Sequence, residues 1–212
     1  MSYTLLQLAQ YVAIDVGLAV PSVVAAATDS SDRTMVEMKQ AINHAGEEIA
    51  RRVDWSTLRT TTTITGTGVA SAFALPVSYQ RMIQGNAVTV GGIPVRGGLS
   101  SEEFLALTAT AGTPRFYFVS GLPELKTIQF WPTLANATAA TVIFQSSLWN
   151  NTGPAKEFTN DSDTALLPDQ VMIKGAIARW RRQKGMDYQD YHSEYEMVLQ
   201  NYAMFDDNAR SP

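Results

Sequence analysis

No cysteine occurs in the 212 residues of this chain. That excludes disulfides and thiolate metal sites, and it leaves cysteine silent about redox compartment. Histidine is almost as scarce: His44 and His192 are the only two. Neither stands in a nucleophile-elbow or metal-ligand spacing, so both read as helix residues with structural roles. A stretch of about 20 apolar residues, the length a spanning helix needs, is also missing. The apolar segment Leu5 to Val20 has no basic n-region and is interrupted by Gln7, Gln10 and Asp15, unlike a secretory signal. The expectation is a protein with no membrane contact, made and kept in a cytoplasm or built into something assembled there. Charged residues make up only 17% of the chain and the net charge is −4, which gives no general affinity for nucleic acid.

What is present is 45% hydrophobic residues, enough to argue against disorder over most of the length. The size suits one domain or a domain carrying an insert. The pattern predicts an α+β fold: a helical bundle formed by N- and C-terminal helices, with a central β-rich insert. The divisions are 1–57 for the N-terminal helices, 58–150 for the insert, 151–205 for a C-terminal helical hairpin that completes the bundle, and 206–212 for a flexible tail.

Within the insert, Thr60 to Thr65 is almost purely β-branched, and Ala87 to Val90 and Ile93 to Val95 flank Gly91-Gly92. Two glycines between such runs predict a tight hairpin, because both can take positive φ. Arg115 to Val119 and Thr127 to Phe130 form a second strand pair, with the turn placed at Ser120-Gly121-Leu122-Pro123. Ala140 to Phe144 is the last strand. Between them Ser100 and Glu103 have capping-box spacing for a short helix through Leu107, expected to cover one face of the sheet.

The helical segments carry their own punctuation. Thr4 and Gln7 have capping-box spacing, and Pro21 lies past the first helix, which ends near Gly17. Thr34 and Glu37 have the same spacing for the second helix, whose Met35, Met38, Ile42, Ala45 and Ile49 recur in steps of three and four. Its opposite face, Lys39, Asn43, Glu47 and Arg51, is expected to be wet or to face a neighbour. The third helix starts with Pro168 at its first position and stops at Gly185. Asp187 caps a fourth, in which Tyr188, Tyr191, Tyr195, Val198, Tyr202 and Phe205 form a stripe that must bury against something.

Candidate chemistry is thin. Asn160, Asp161 and Asp163 resemble part of a calcium loop, but the EF-hand glycine and distal Glu are missing, and a turn is the better reading. Gly66-Thr67-Gly68 and Gly97-Gly98 lack the lysine or following helix of a phosphate loop. Arg179-Trp180-Arg181-Arg182 with Lys184 could form a nucleic-acid patch. On a helix these residues diverge, with Trp180 inward, and the cations complement the helix dipole or form a solvated or intersubunit face. Trp131, Trp149, Tyr117 and Phe118 could make a sugar-binding platform or serve as core. No catalytic residue, metal or cofactor is expected.

The order of segments carries a resemblance. A helix pair ends in Asp54-Trp55 with Leu58, followed by Leu75-Pro76 with Tyr79 and Arg81-Met82-Ile83, then Gly112-Thr113-Pro114 with Tyr117. Gly121 through Ile128 leads into Phe130-Trp131-Pro132, and the chain closes with Pro168, Gly175-Ala176-Ile177-Ala178 and the tyrosine-rich helix Tyr188 to Tyr202. From about Thr34 to Tyr202 this resembles the head-to-tail adaptors of tailed double-stranded DNA bacteriophages, the connector group that includes the tail tubular A type. The resemblance implies a structural virion protein of the neck, a homo-oligomer of usually twelve copies in a ring. Its partners would be the portal protein above and a tail or nozzle protein below, with genomic DNA passing non-specifically through the lumen. Tyr202, Phe205, Asp206, Asp207 and Arg210 are then the portal-interface candidates, and Gly91, Gly92 and Ile93 the candidates for the tail or a neighbouring copy. A tail-completion or baseplate subunit, or a carbohydrate-binding β-domain, is the alternative.

Overall fold

The computed structural model describes residues 2–107, 112–122, 125–152 and 155–207. Among these residues the chain forms five α-helices and eight strands, an α+β fold. It divides into a helical unit, Met1–Leu58 with Ser147–Pro212, and a β-rich unit, Arg59–Ser146.

In the helical unit, α1 (Leu5–Val16) begins at the expected capping box. The Gln7 N–H donates to the Thr4 hydroxyl at 3.3 Å, and the Thr4 N–H donates to Gln7 Oε1 at 3.0 Å. The second helix, α2 (Asp29–Arg52), starts earlier than its sequence signal. The Thr28 N–H donates to Ser31 Oγ at 2.9 Å; Asp32 then leaves helical geometry and its carboxylate accepts from the Met35 N–H at 3.2 Å. The expected Thr34–Glu37 box does not form, because Glu37 is held by Arg33 at 3.0 Å and by Lys184. The apolar stripe from Met35 to Ile49 is buried as its period requires. Asn43, placed by its period on the outer face, is instead buried, bonded through both amide atoms to the backbone of Phe158.

Helix α4 (Asp169–Gln183) buries Val171, Met172, Ile173, Ala176, Ile177 and Trp180, a width that lets α1, α2 and α5 (Gln189–Asp207) all pack on it. Pro168 stands at its N-cap, one residue before the first helical position. Its C-terminus is a Schellman motif: the Met186 N–H reaches Arg181 O at 2.9 Å and the Gly185 N–H reaches Arg182 O at 3.2 Å. Asp187 accepts from the Gln189 N–H at the start of α5. The tyrosine stripe buries only in part: Tyr195 is in the core, Tyr191 and Val198 are partly buried against it, and Tyr202 and Phe205 are exposed. Trp149, which follows the β-rich unit in the chain, is fully buried in the helical core and packs edge-on to Phe158 at 4.8 Å.

The β-rich unit contains two antiparallel sheets. In the larger, β8 (Ala139–Ser146) is the hub: β1 (Arg59–Thr65) pairs along it from Arg59↔Gln145 to Thr65↔Ala139, and β4 (Val88–Val90) and β3 (Tyr79–Met82) pair with it too. Its alternation puts Ala140, Val142 and Phe144 at zero exposure. A hairpin joins β4 to β5 (Ile93–Pro94) through Gly91 and Gly92, whose φ values of 58° and 81° are those of a type I′ turn. The smaller sheet runs β2 (Ala72–Ala74), β7 (Leu125–Trp131), β6 (Phe116–Leu122). Here β6 continues through Ser120, Gly121 and Leu122, the last pairing with Leu125, so the turn is not at 120–123 as expected. Residues 123 and 124 lie outside the described residues. Helix α3 (Ser101–Leu105) has its Ser100–Glu103 box and lays Phe104 on Phe118 at 5.4 Å.

Gly46 of α2 lies directly beneath Trp149: a Cβ there would stand 2.7 Å from the indole. An exposed helical glycine changed to alanine gains about 1 kcal/mol. At Gly46 the sign reverses, and Gly46→Ala is expected to lose about 1–3 kcal/mol through overpacking, read as a lower thermal unfolding midpoint.

Candidate interaction surfaces

The first surface forms where α5 runs out. Tyr202, Phe205 and Asp206 line one groove of about 490 Å³ with Trp55, Leu166 and Pro168. Phe205 is 78% exposed and Met204 66%, against the burial expected of a stripe residue. Asp206 is fixed: its carboxylate accepts from the Ser56 N–H at 2.7 Å and the Ser56 hydroxyl at 2.5 Å. The helix thus extends past Phe205 and is tied at Asp206, where a flexible tail was expected to begin. Asp207 is the last helical residue. Arg210 lies outside the described residues, as do 208–212 generally. Ser56 and Met204 belong to this surface and were not singled out by sequence. Met204 sits off the tyrosine period, and Ser56 is 150 residues from Asp206 in the chain.

The second surface is at the β4–β5 hairpin. Gly91, Gly92 and Ile93 are exposed, Ile93 by 59%. Beside them is a cleft of about 600 Å³ lined by Ile93, Arg96, Arg115, Trp131 and Pro132. The two arginines were missed because they are 19 residues apart; the isolated bridge Arg96↔Phe116 brings them together, with the Arg96 N–H on Arg115 O at 2.9 Å.

The remaining candidates become structural once their partners are seen. Among the basic residues of α4, Arg179 pairs with Glu48 and Lys184 with Glu37, while Arg181 stacks over Tyr191 at 3.9 Å. Trp180 is buried, as its period predicts. Arg52 grips Glu196 with two bonds of 2.5 and 2.6 Å, which holds the Glu196 carboxyl below its usual range. Lys184 and Arg33 do the same to Glu37. Burial, with Glu48 nearby, raises the neighbouring Tyr195 phenol to about 12. These cations face carboxylates and rings of the same chain rather than a free basic surface. Of the four aromatics, Trp149 and Tyr117 are core, Phe118 stacks on Phe104 and Trp131 is half-buried, so they make no common platform.

The acidic loop is a staple. Asp161 accepts from the Val24 and Ala25 N–H groups at 3.0 and 2.7 Å. Asp163, 1% exposed, accepts on one oxygen from the Thr159 and Asn160 N–H groups, the Thr159 hydroxyl and Asn150 Nδ2. Among the described residues no group of three or more His, Asp or Glu is placed to hold a metal, and no helix is long and apolar enough to cross a membrane.

The family model described as SU10 adaptor protein matches residues 3–211, and the chain belongs to that family of phage structural adaptors. No curated protein matches it.

Burial raises the Asp163 pKa, but the Asn160 and Thr159 N–H groups and Asn150 outweigh it and hold the carboxyl below its usual range. A lowered folded-state value means the stabilisation is fully present above the unfolded pKa, about 3.9, and is lost as pH falls through the folded value. Asp163→Ala is expected to cost about 2–4 kcal/mol at neutral pH. In denaturant titrations the gap to the parent chain stays constant from neutral pH down to about pH 5 and narrows below about pH 4.

Proposed function

We propose that the chain is a head-to-tail adaptor of the virion neck: copies form a ring, of twelve by the resemblance, beneath the portal, joining the DNA-filled head to the tail. The observation that carries this reading is the family match over residues 3–211. In it, the helices from both chain ends form a bundle that meets the portal, and the β-rich unit reaches the tail or a neighbouring copy. The end of α5 supports the portal side, since Tyr202 and Phe205 continue an apolar stripe into solvent beside a preformed groove. Aromatic side chains at a pocket rim are the residue class that concentrates binding energy in protein interfaces. A net charge of −4 suits a lumen through which DNA slides, because a basic channel would hold it. Assembly would take place in the host cytoplasm.

A stop codon early in the gene tests the location. Leaking or empty heads beside free tails are the expected particles by electron microscopy; joined but non-infectious particles would move the protein to the distal tail or baseplate. For the interface, Phe205→Asp keeps the Asp206–Ser56 tie and leaves the core untouched. It is expected to weaken portal binding by at least about 30-fold, the scale of one hot-spot side chain, in pull-down or interferometry, with unchanged thermal stability. Undiminished binding would remove the α5 end from the portal contact.

A further inference from the structure

The charge of this chain is unevenly divided. The β-rich unit carries five Lys and Arg against three Glu, a net +2, and the helical unit carries eleven against seventeen, a net −6. Two exposed patches carry charge of opposite sign, two arginines on the β-rich unit and one carboxylate on the helical unit. On the β-rich unit, the cleft with Arg96 and Arg115 on its walls has Trp131, Pro132 and the exposed Ile93 as its apolar lining. Both arginines are exposed, and among the described residues neither forms an ion pair, although Arg96 lies near enough to Glu103 to help hold that carboxyl below its usual range.

On the helical unit, the first 32 residues contain no Lys, Arg or His. On α1, Tyr11 (46%) and Ile14 (60%), four and one residues before the exposed Asp15, are exposed. Asp15 sits in the last turn of α1, where no basic residue accompanies it. A negative charge at that end of a helix opposes the helix dipole, so within one chain the placement is unfavourable and uncompensated. One patch is apolar and cationic, the other apolar and anionic.

We infer that these patches are the two halves of a contact between copies: the α1 face of one copy, with Asp15 at its centre, docks on the Arg96/Arg115 cleft of the next. The inference rests on the ring reading and specifies how its copies meet. A closed ring needs a heterologous contact, two different surfaces on each copy, and two complementary patches, one on each unit, supply that. The arginines give the contact its register and its encounter rate, and Ile93 with Trp131 gives the apolar area. The Asp15 carboxylate gains in the assembly the cation that its own helix lacks.

Because the chain has no native cysteine, single introduced thiols report the contact directly. One preparation of the full chain carries Ile14→Cys and the other Ile93→Cys; they are mixed under mild oxidant, with and without portal protein, and disulfide-linked dimers are read by intact mass. The expected result is a mixed dimer at least about tenfold more abundant than either homodimer, as a heterologous contact requires. Adding Arg96→Glu and Arg115→Glu to the Ile93→Cys chain should remove most of it, and Asp15→Lys in the other chain should restore part. Circular dichroism checks that each variant is folded. Absence of the mixed dimer under both conditions, or homodimers in equal yield, overturns the inference. So does a double glutamate variant that loses DNA affinity while still cross-linking, which would assign the arginines to phosphate. If both chains still sediment with portal but do not cross-link, this contact alone fails; failure of the parent chain to bind portal would overturn the ring reading instead.

Discussion

The helical unit depends on one close contact, the indole of Trp149 laid over the bare backbone of Gly46. The chain leaves this unit after Leu58 and re-enters at Ser147, so its two segments must find each other across the whole β-rich unit. Trp149 is the first fully buried anchor after the return, and Phe158 and Asn43 complete the seam: an edge-on ring at 4.8 Å, and an amide bonded to the Phe158 backbone. The indole N–H has no hydrogen-bond partner among the described residues. An unmet donor of this kind costs on the order of 1–3 kcal/mol, which large apolar burial must outweigh. The staples at Asp161 and Asp163 act on the same stretch of chain, pinning the loop between Trp149 and α4.

The electrostatics of the helical unit then follow from packing. Glu37, Glu48 and Glu196 are each shared between α2 and another helix, and the cations of α4 and α2 close on them. Individually, partly exposed pairs contribute little. Their joint effect is to fix the rotation of α4 and α5 about their axes, which decides where the stripe of α5 leaves the core. That exit point is why Tyr202 and Phe205 are presented to solvent while Tyr195, two turns earlier, is buried.

Features written into a few adjacent residues were legible in the sequence. The boxes at Thr4–Gln7 and Ser100–Glu103, the Gly91-Gly92 hairpin, the Gly185 stop and the strand from Ala140 to Phe144 are all local. Where distant partners decide, the same signals misled. Thr34–Glu37 has capping spacing, but Glu37 is recruited by Lys184, 147 residues on, and Asp32 caps that turn through the Met35 N–H. Asn43 has an outer-face period and an inner-face partner. The three- and four-residue strands β2 and β3, the latter with a bulge between Tyr79 and Arg81, are too short for a period to register. Periodicity located the stripe of α5 but could not say which part of it the fold itself would cover. The Arg96/Arg115 cleft left no trace in the sequence, since only strand pairing joins its walls.

One feature of the larger sheet reaches beyond this chain. The β-rich unit enters on β1 and leaves on β8, and Arg59 lies directly opposite Gln145 in that ladder. Cross-strand neighbours are about 5 Å apart, so the chain enters and leaves this unit at two points no further apart than adjacent strands. It is therefore a cassette: a linker of a few residues would bridge the gap, and a different β-module with paired terminal strands could occupy the same port.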